Sequence, residues 1–245
     1  MRGGIVALEY RWHLLAAVAL AAASAASPGR AQPADEAPAD PPLAALVRIH
    51  LPLKGNADQA LRSTLLRARD RLVDQAQAAK DPRRPLLVLE IAAAPGAPQG
   101  GAGSQFERAL ALARFLVGRE MTDVKTVAYL PESIRGHGVL LAIASEELMM
   151  APDAEIAEAP GDEDGGETVV AAYREIADAR RTFPEALAIG LVDPSREVLQ
   201  VESDEGIRFL LGDQIDQYQK EHDVISTRTL AEQGTPARFT GREGN

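Results

Sequence analysis

The chain has 245 residues, with 26 lysines and arginines against 36 aspartates and glutamates, which gives a formal net charge of −10. This acidity argues against a nucleic-acid-binding protein, because phosphate binding needs a concentrated basic surface. The absence of cysteine excludes disulfides, cysteine-ligated zinc, iron–sulfur clusters and thiol nucleophiles, and no two of the four histidines are close enough in sequence to form a metal motif.

The first 31 residues have the pattern of a secretory signal peptide or signal anchor. Arg2 and Arg11 precede an uncharged run of small and apolar residues over 14–26. This run is shorter than the ~20 residues that a membrane-spanning helix needs, as is usual for an export signal. Cleavage is expected after Ala26 or Ala31, and a buried N-terminal helix is the alternative interpretation. We therefore expect an exported protein that is periplasmic or membrane-associated.

Residues 32–45 are rich in proline and lack apolar periodicity, which is typical of a disordered linker. We expect the folded domain to begin near Leu46 and to cover residues 46–195. Within it, short apolar runs alternate with amphipathic segments, which predicts an α/β fold with a mainly parallel sheet. The low aromatic content of 4% agrees with α/β layers that are packed by small aliphatic side chains.

The predicted strands and helices of this domain alternate along the chain. Strands are predicted at 47–51, 85–91, 124–130 and 147–150, and helices at 57–79, 104–117, 139–144, 167–181 and 184–190. The run over 85–91 is almost continuously apolar, which is typical of a parallel strand that is buried on both faces. Ser104, with Glu107 three residues later, predicts a capping box at the start of the second helix.

Residues 196–245 form a C-terminal extension in this interpretation. Two apolar runs on either side of Glu205-Gly206 predict a hairpin, and a helix is predicted at 213–221. The sequence stops at Asn245 in the middle of a segment pattern, so the extension is interpreted as the start of a further, truncated module.

Four segments, taken in order, resemble the ClpP/crotonase superfamily, and above all the NfeD group of exported or membrane-bound, SppA-related serine proteases of the ClpP class. They are Leu89–Gly96, Val124–Leu130, Gly136–Ala144 and Glu147–Ile156, and the later run Glu185–Asp193 is similar to the helix and turn that end such domains. The resemblance covers residues 46–195. It implies repeated β-α units, a cleft for an extended peptide, and association of several copies.

The resemblance also implies where an oxyanion hole would lie. In the family, the loop after the second strand reads Asp-Thr-Pro-Gly-Gly, and the matching positions here are 93–97, where Pro95-Gly96 are kept. Backbone N–H groups can stabilise a developing negative charge when they point toward it. The implied donors are the N–H groups of Gly96 and Gly138, and a plain flexible loop is the alternative interpretation.

The catalytic residues of the family are missing from their expected positions. Family members have Ser-x-Gly at the start of the helix after the third strand, and Gly136 occupies the position of that serine. Ser133 and His137 are the nearby candidates for a nucleophile and a base. The general-base lysine of NfeD and SppA relatives has no counterpart in the region 155–180, since the lysines of the chain are Lys54, Lys80, Lys125 and Lys220.

Three functions follow from this resemblance. The first is a catalytically degenerate module for peptide binding or assembly at the membrane. The second is an active serine endopeptidase that uses Ser133 or a water activated by His137. The weakest is a crotonase-type acyl-CoA enzyme in which Gly96 and Gly138 stabilise an enolate. No cofactor, metal or nucleic acid is expected, and the expected partners are a peptide or membrane-protein segment, further copies of the chain and a membrane partner protein.

Overall fold

The computed structural model describes residues 41–159 and 166–241. The predicted signal over 1–31 and the first nine residues of the predicted linker lie outside these ranges. The first strand begins at Ala44, two residues before the expected start of the domain at Leu46. Residues 44 and 45 therefore belong to a strand and not to the linker, because both pair in register with the neighbouring strand.

The helices and strands follow the predicted order closely. The strands are β1 (Ala44–Leu51), β2 (Leu86–Ala93), β3 (Lys125–Leu130), β4 (Glu147–Met150), β5 (Glu155–Ile156), β6 (Val198–Ser203), β7 (Gly206–Leu211), β8 (Val224–Ala231) and β9 (Phe239–Thr240). The helices are α1 (Ala57–Ala79), α2 (Phe106–Val117), α3 (Val139–Ile143), α4 (Glu167–Arg180), α5 (Glu185–Gly190) and α6 (Ile215–Glu221), and a 3₁₀ turn over Gly136–Gly138 leads into α3.

Strands β1 to β4 form a four-stranded, all-parallel sheet in the order β1-β2-β3-β4. The prediction of an α/β fold with a parallel sheet is therefore confirmed. The strands end nearly level with one another, since Leu51 lies beside Ala93 and Leu130 lies beside Met150. All the loops that follow these strands consequently leave from one edge, which we call the carboxyl edge.

One face of this sheet carries the main hydrophobic core. Side chains alternate between the two faces of a strand, and Val47, Ile49 and Leu51 of β1 fall on the same face as Leu89 and Ile91 of β2. All five are buried. Helices α1 to α4 pack against one another on this side, with α1 resting on β1 and β2 and α3 resting on β3.

The opposite face of the sheet is only partly exposed to solvent. We call it the open face, and it consists of Ala44, Leu46, Arg48 and His50 of β1, Leu86, Val88, Glu90 and Ala92 of β2, Lys125, Val127 and Tyr129 of β3, and Glu147 and Met149 of β4. Leu46 and Met149 are exposed, the members on β2 are half-buried, and Val127 of β3 is buried. The expectation that the second strand is buried on both faces is therefore wrong, because its residues on this face are only half-buried.

The C-terminal segment adds a second, antiparallel sheet in the order β7-β6-β8. Strands β6 and β7 form the predicted hairpin around Glu205-Gly206, and α6 falls within the helix predicted at 213–221. Val198 and Ala237 are buried in the same core as the preceding residues, and Phe239 stacks edge-on against Phe183. Residues after 196 therefore contribute to the core of the unit that begins at Pro41.

Three charged side chains interact with one another at the amino edge of the sheet, which lies opposite the carboxyl edge. Glu146, just before β4, accepts hydrogen bonds from Arg84, just before β2, at 2.8 and 2.9 Å. The Arg180 guanidinium at the end of α4 lies 3.7 Å from the same carboxylate and also donates to the carbonyls of Ala144 (2.8 Å) and Leu116. Burial acts to raise the pKa of Glu146, but the hydrogen bonds and charges of Arg84 and Arg180 lower it overall.

This network makes stability depend on pH. The pKa of the Glu146 carboxyl group is near 4.5 in the unfolded chain and lower in the folded protein. Ionised Glu146 therefore stabilises the fold fully above the unfolded pKa. This stabilisation is lost as the pH falls through the pKa of the folded protein. We expect Glu146→Gln to lower the free energy of unfolding by about 1–2 kcal/mol at neutral pH, and the difference from the parent to shrink as the pH falls below about 4.5.

Urea denaturation across this range of pH measures the effect. Glu232→Gln is the matched control, since Glu232 is exposed in the segment after β8, and it should follow the parent at every pH. A Glu146→Gln deficit that stays constant down to about pH 3 would show that the charge of this carboxylate contributes nothing to stability.

Candidate functional site

Ligands of open α/β sheets bind where loops leave the carboxyl ends of the strands. In this chain the loops after the first three strands are the segment with Lys54 after β1, the glycine-rich loop 94–105 after β2, and the turn 131–138 after β3. All of the candidate residues predicted from the sequence lie on the last two. The carboxyl edge is therefore the candidate functional site.

The glycine-rich loop begins with a tight turn over Ala94–Ala97. Ala97 N–H donates to the carbonyl of Ala94 at 2.9 Å, and Gly96 has a φ of +77°. Proline at the second position and glycine with positive φ at the third are the signature of a type II turn. Gly96 is exposed at the tip of this turn, and no atom lies within 4 Å of where its Cβ would be.

The second half of the loop is packed against β1. A Cβ on Gly101 would lie 2.3 Å from Cβ of Leu51, so only glycine allows this approach. Ser104 is buried, and its hydroxyl accepts a hydrogen bond from Leu53 N–H at 2.9 Å. The predicted capping box is therefore wrong: α2 begins after Gln105 with no side-chain cap, and the serine hydroxyl is instead bound to Leu53, two residues after the end of β1.

The turn after β3 is held in an extended conformation against residues 155–158. Ile134 N–H donates to the carbonyl of Glu155 at 2.9 Å, and Gly136 N–H donates to the carbonyl of Glu158 at 2.9 Å. The hydroxyl of Ser133 accepts a hydrogen bond from Glu155 N–H at 3.0 Å. Ser133, the candidate nucleophile, thus takes part in the backbone pairing of this turn.

Gly136 lies at the corner between this turn and the helix that follows. Its φ is +69°, and a Cβ built on it would lie 3.4 Å from Gly103 N and 3.5 Å from Cα of Ala102. These are ordinary van der Waals distances. A side chain at position 136 would therefore fit beside the end of the glycine-rich loop, in a backbone conformation that is unfavourable for residues other than glycine.

His137, the candidate base, is 3% exposed and lies in an aromatic cluster. Its ring centroid is 5.0 Å from that of Phe106, and Nδ1 is 3.3 Å from the hydroxyl of Tyr173. Burial raises the pKa of Tyr173 well above its usual value, so this partner remains a neutral phenol. The imidazole is thus part of the core between α2 and α4.

The two implied oxyanion donors have different surroundings. Gly96 is exposed at the tip of its turn, whereas Gly138 is buried with Leu51 directly against it. A Cβ on Gly138 would lie 2.7 Å from both terminal carbons of Leu51. Glu132 also lies at the carboxyl edge. Its carboxylate accepts a hydrogen bond from Ala93 N–H, at the end of β2, at 2.8 Å.

Lys54 is a candidate that sequence reasoning missed. It is exposed three residues after the end of β1. Its Nζ lies 3.8 Å from the position that a Cβ on Gly103 would take, so it is at the same corner as Gly136. The sequence signal for Lys54 was its position three residues after a predicted strand, because the carboxyl ends of parallel strands meet at one edge of the sheet.

No protein-family model, curated protein or solved structure matches this chain. Within residues 41–159 and 166–241, no helix has the length and apolar character needed to cross a bilayer. Across the same part of the chain, no three His, Asp or Glu side chains are grouped as a metal ion would require.

Proposed function

We propose that the chain is an exported, catalytically degenerate module of the ClpP class that binds extended peptide segments at the membrane. Its sequence resembles the NfeD group over residues 46–195, and its parallel sheet presents a glycine-rich loop at the carboxyl edge. Gly96, at the tip of the exposed turn at this edge, is one of the two backbone donors that the resemblance implies.

The proposal rests mainly on the contacts that the candidate catalytic side chains make. Position 136 is glycine, the Ser133 hydroxyl accepts a hydrogen bond from Glu155 N–H, and His137 is buried against Phe106 and Tyr173. Nucleophilic catalysis needs a hydroxyl within hydrogen-bond reach of a base. The described contacts give Ser133 and His137 separate partners, and this favours binding without hydrolysis.

The test is labelling of the purified full chain with a fluorophosphonate probe, which is read by intact mass and peptide mapping. We expect no adduct, and we expect fluorescent peptides derived from casein to bind without being cleaved. A single adduct on Ser133 that disappears in Ser133→Ala would instead establish an active serine hydrolase. Peptide turnover without an adduct would also overturn the proposal, in favour of a water-based mechanism.

A variant with the family's serine provides the matched comparison. In Gly136→Ser the new hydroxyl would lie at the corner shared with Gly103 and Lys54, where the structure has room for a Cβ. An adduct on Ser133 is not expected in this variant, and an adduct at position 136 would support the descent of this site from a serine peptidase. Gly136→Ala carries the same backbone strain without a hydroxyl, so it controls for changes in folding.

A further inference from the structure

We propose that the carboxyl edge recognises a carboxylate of the bound peptide through the Lys54 ammonium and the Gly103 N–H. This recognition rests on the proposed function, because it specifies the chemistry that a peptide must carry to bind tightly at this edge. Its basis is the fixed position of Lys54, the uncovered backbone of Gly103 and the partners of the neighbouring acidic side chains.

Hydrogen bonds between two segments hold Lys54 beside the glycine-rich loop. Leu53 N–H donates to the Ser104 hydroxyl at 2.9 Å, and Gln105 N–H donates to the carbonyl of Leu53 at 2.9 Å. Leu53 is fully buried, which keeps this pairing away from water. The next residues, Lys54 and Gly103, are thereby placed side by side. Both Cε and Nζ of Lys54 lie 3.8 Å from the position that a Cβ on Gly103 would take.

The backbone of Gly103 is uncovered between Lys54 and the corner at Gly136. Gly103 is exposed and has a φ of +91°. A side chain at position 136 would lie against its nitrogen, at 3.4 Å from the Cβ, but glycine at this position leaves the nitrogen uncovered. Within residues 41–159 and 166–241, no acceptor is hydrogen-bonded to Gly103 N–H. This N–H group is therefore a donor that a ligand can use.

The two donors are close enough together to bind one carboxylate. Lys54 Nζ lies 3.8 Å from the Cβ position of Gly103. Cβ and N of one residue are about 2.5 Å apart, so Nζ and the Gly103 nitrogen are separated by at most about 6 Å. Two hydrogen bonds of about 2.8 Å, one to each oxygen of a carboxylate, span this distance. A single carboxylate can therefore accept from both donors.

Lys54 can take such a ligand because the acidic side chains near it have other partners. Glu132 accepts a hydrogen bond from a backbone N–H at the end of β2. Glu158 and Asp58 lie 3.4 and 3.5 Å from an arginine. Across the described parts of the chain, no Asp or Glu side chain forms an ion pair with Lys54. An ammonium group without a carboxylate partner attracts an anionic ligand.

A peptide can supply this carboxylate from two sources. One is its C-terminus, and the other is an aspartate or glutamate side chain. Both offer the same two oxygens and the same charge. Because Lys54 is exposed, we expect the carboxylate to strengthen peptide binding by about fivefold, as for a favourable ion pair at a protein surface.

Fluorescence anisotropy of the full chain with three labelled peptides tests the proposal. The peptides share one casein-derived sequence without acidic side chains, and they end in a carboxylate, in an amide, or in an amide after one added internal glutamate. The parent should bind the first about fivefold more tightly than the second. Lys54→Met should bind these two equally, and Lys54→Arg should keep the preference. Lys220→Met is the matched control, since Lys220 is exposed on α6, and it should behave like the parent.

The third peptide identifies the source of the carboxylate. Binding as tight as that of the free acid would show that any carboxylate of the peptide is recognised, and binding at the level of the amide would restrict recognition to the C-terminus. Equal binding of all three peptides by the parent overturns carboxylate recognition and leaves the proposed function standing. A preference that Lys54→Met retains also overturns it. If no peptide binds, the proposed function fails, and carboxylate recognition fails with it.

Discussion

Gly101→Ala is expected to lower the free energy of unfolding by about 3–5 kcal/mol, which is a large part of the stability of a typical domain. Two effects add. The φ of +69° costs a residue with a side chain about 1–2 kcal/mol, and the new methyl group would overlap Cβ of Leu51 at 2.3 Å. Rotation of the leucine side chain cannot relieve the second effect, because Cβ is attached directly to the backbone of β1.

The matched control for this prediction is Gly96→Ala. Gly96 has a similar φ of +77°, but no atom lies within 4 Å of its Cβ position. This variant should therefore lose only about 1–2 kcal/mol from backbone strain. Urea denaturation of both variants at neutral pH measures the difference. Equal losses would mean that the loop moves away from β1 without penalty, and that Leu51 does not fix its position.

The second large effect is expected for Arg180→Met, which should lower the free energy of unfolding by about 2–4 kcal/mol. Arg180 donates to the carbonyl of Leu116, at the end of α2, and to that of Ala144, at the end of α3. A cation at the C-terminus of a helix also interacts favourably with the helix dipole. Methionine keeps most of the aliphatic stem but leaves both carbonyls and Glu146 without this donor.

Arg174→Met, on the same helix, is the control for the loss of a positive charge at the surface. Arg174 forms a 2.7 Å ion pair with Glu185, and both side chains are exposed. Exposed pairs of this kind contribute about 0–1 kcal/mol, so the variant should be nearly as stable as the parent. The interpretation of Arg180 as a helix-end ligand fails if thermal or urea denaturation gives the two variants the same stability.

The order of the elements could be predicted because each strand and helix carries its own periodicity. Helix α1 begins at Ala57 and ends at Ala79, as predicted, because its apolar residues recur at helical spacing and Asp81-Pro82 follows. The hairpin of β6 and β7 could be predicted from two apolar runs around Glu205-Gly206. Such local patterns do not depend on what the element packs against.

Other features depend on contacts between distant residues, and these could not be predicted. The apolar run of β2 looks the same whether one or both of its faces are covered. Ser104 looks like a helix cap, but the distant Leu53 N–H binds its hydroxyl. His137 follows a turn in sequence and nevertheless lies in the core, because Tyr173 comes from a helix whose position the sequence does not specify.

The short pairing of β5 with β9 has a consequence for how the chain reaches its final form. Glu155 and Ile156 pair with Phe239 and Thr240, more than eighty residues later, and the backbone from 155 to 158 in turn holds Ser133 and Gly136. In a growing chain, residues 44–150, which form the parallel sheet, are therefore available well before residues 239 and 240, which this pairing needs. The segment that holds the corner around Gly136 is thus itself paired with residues from the far end of the described chain.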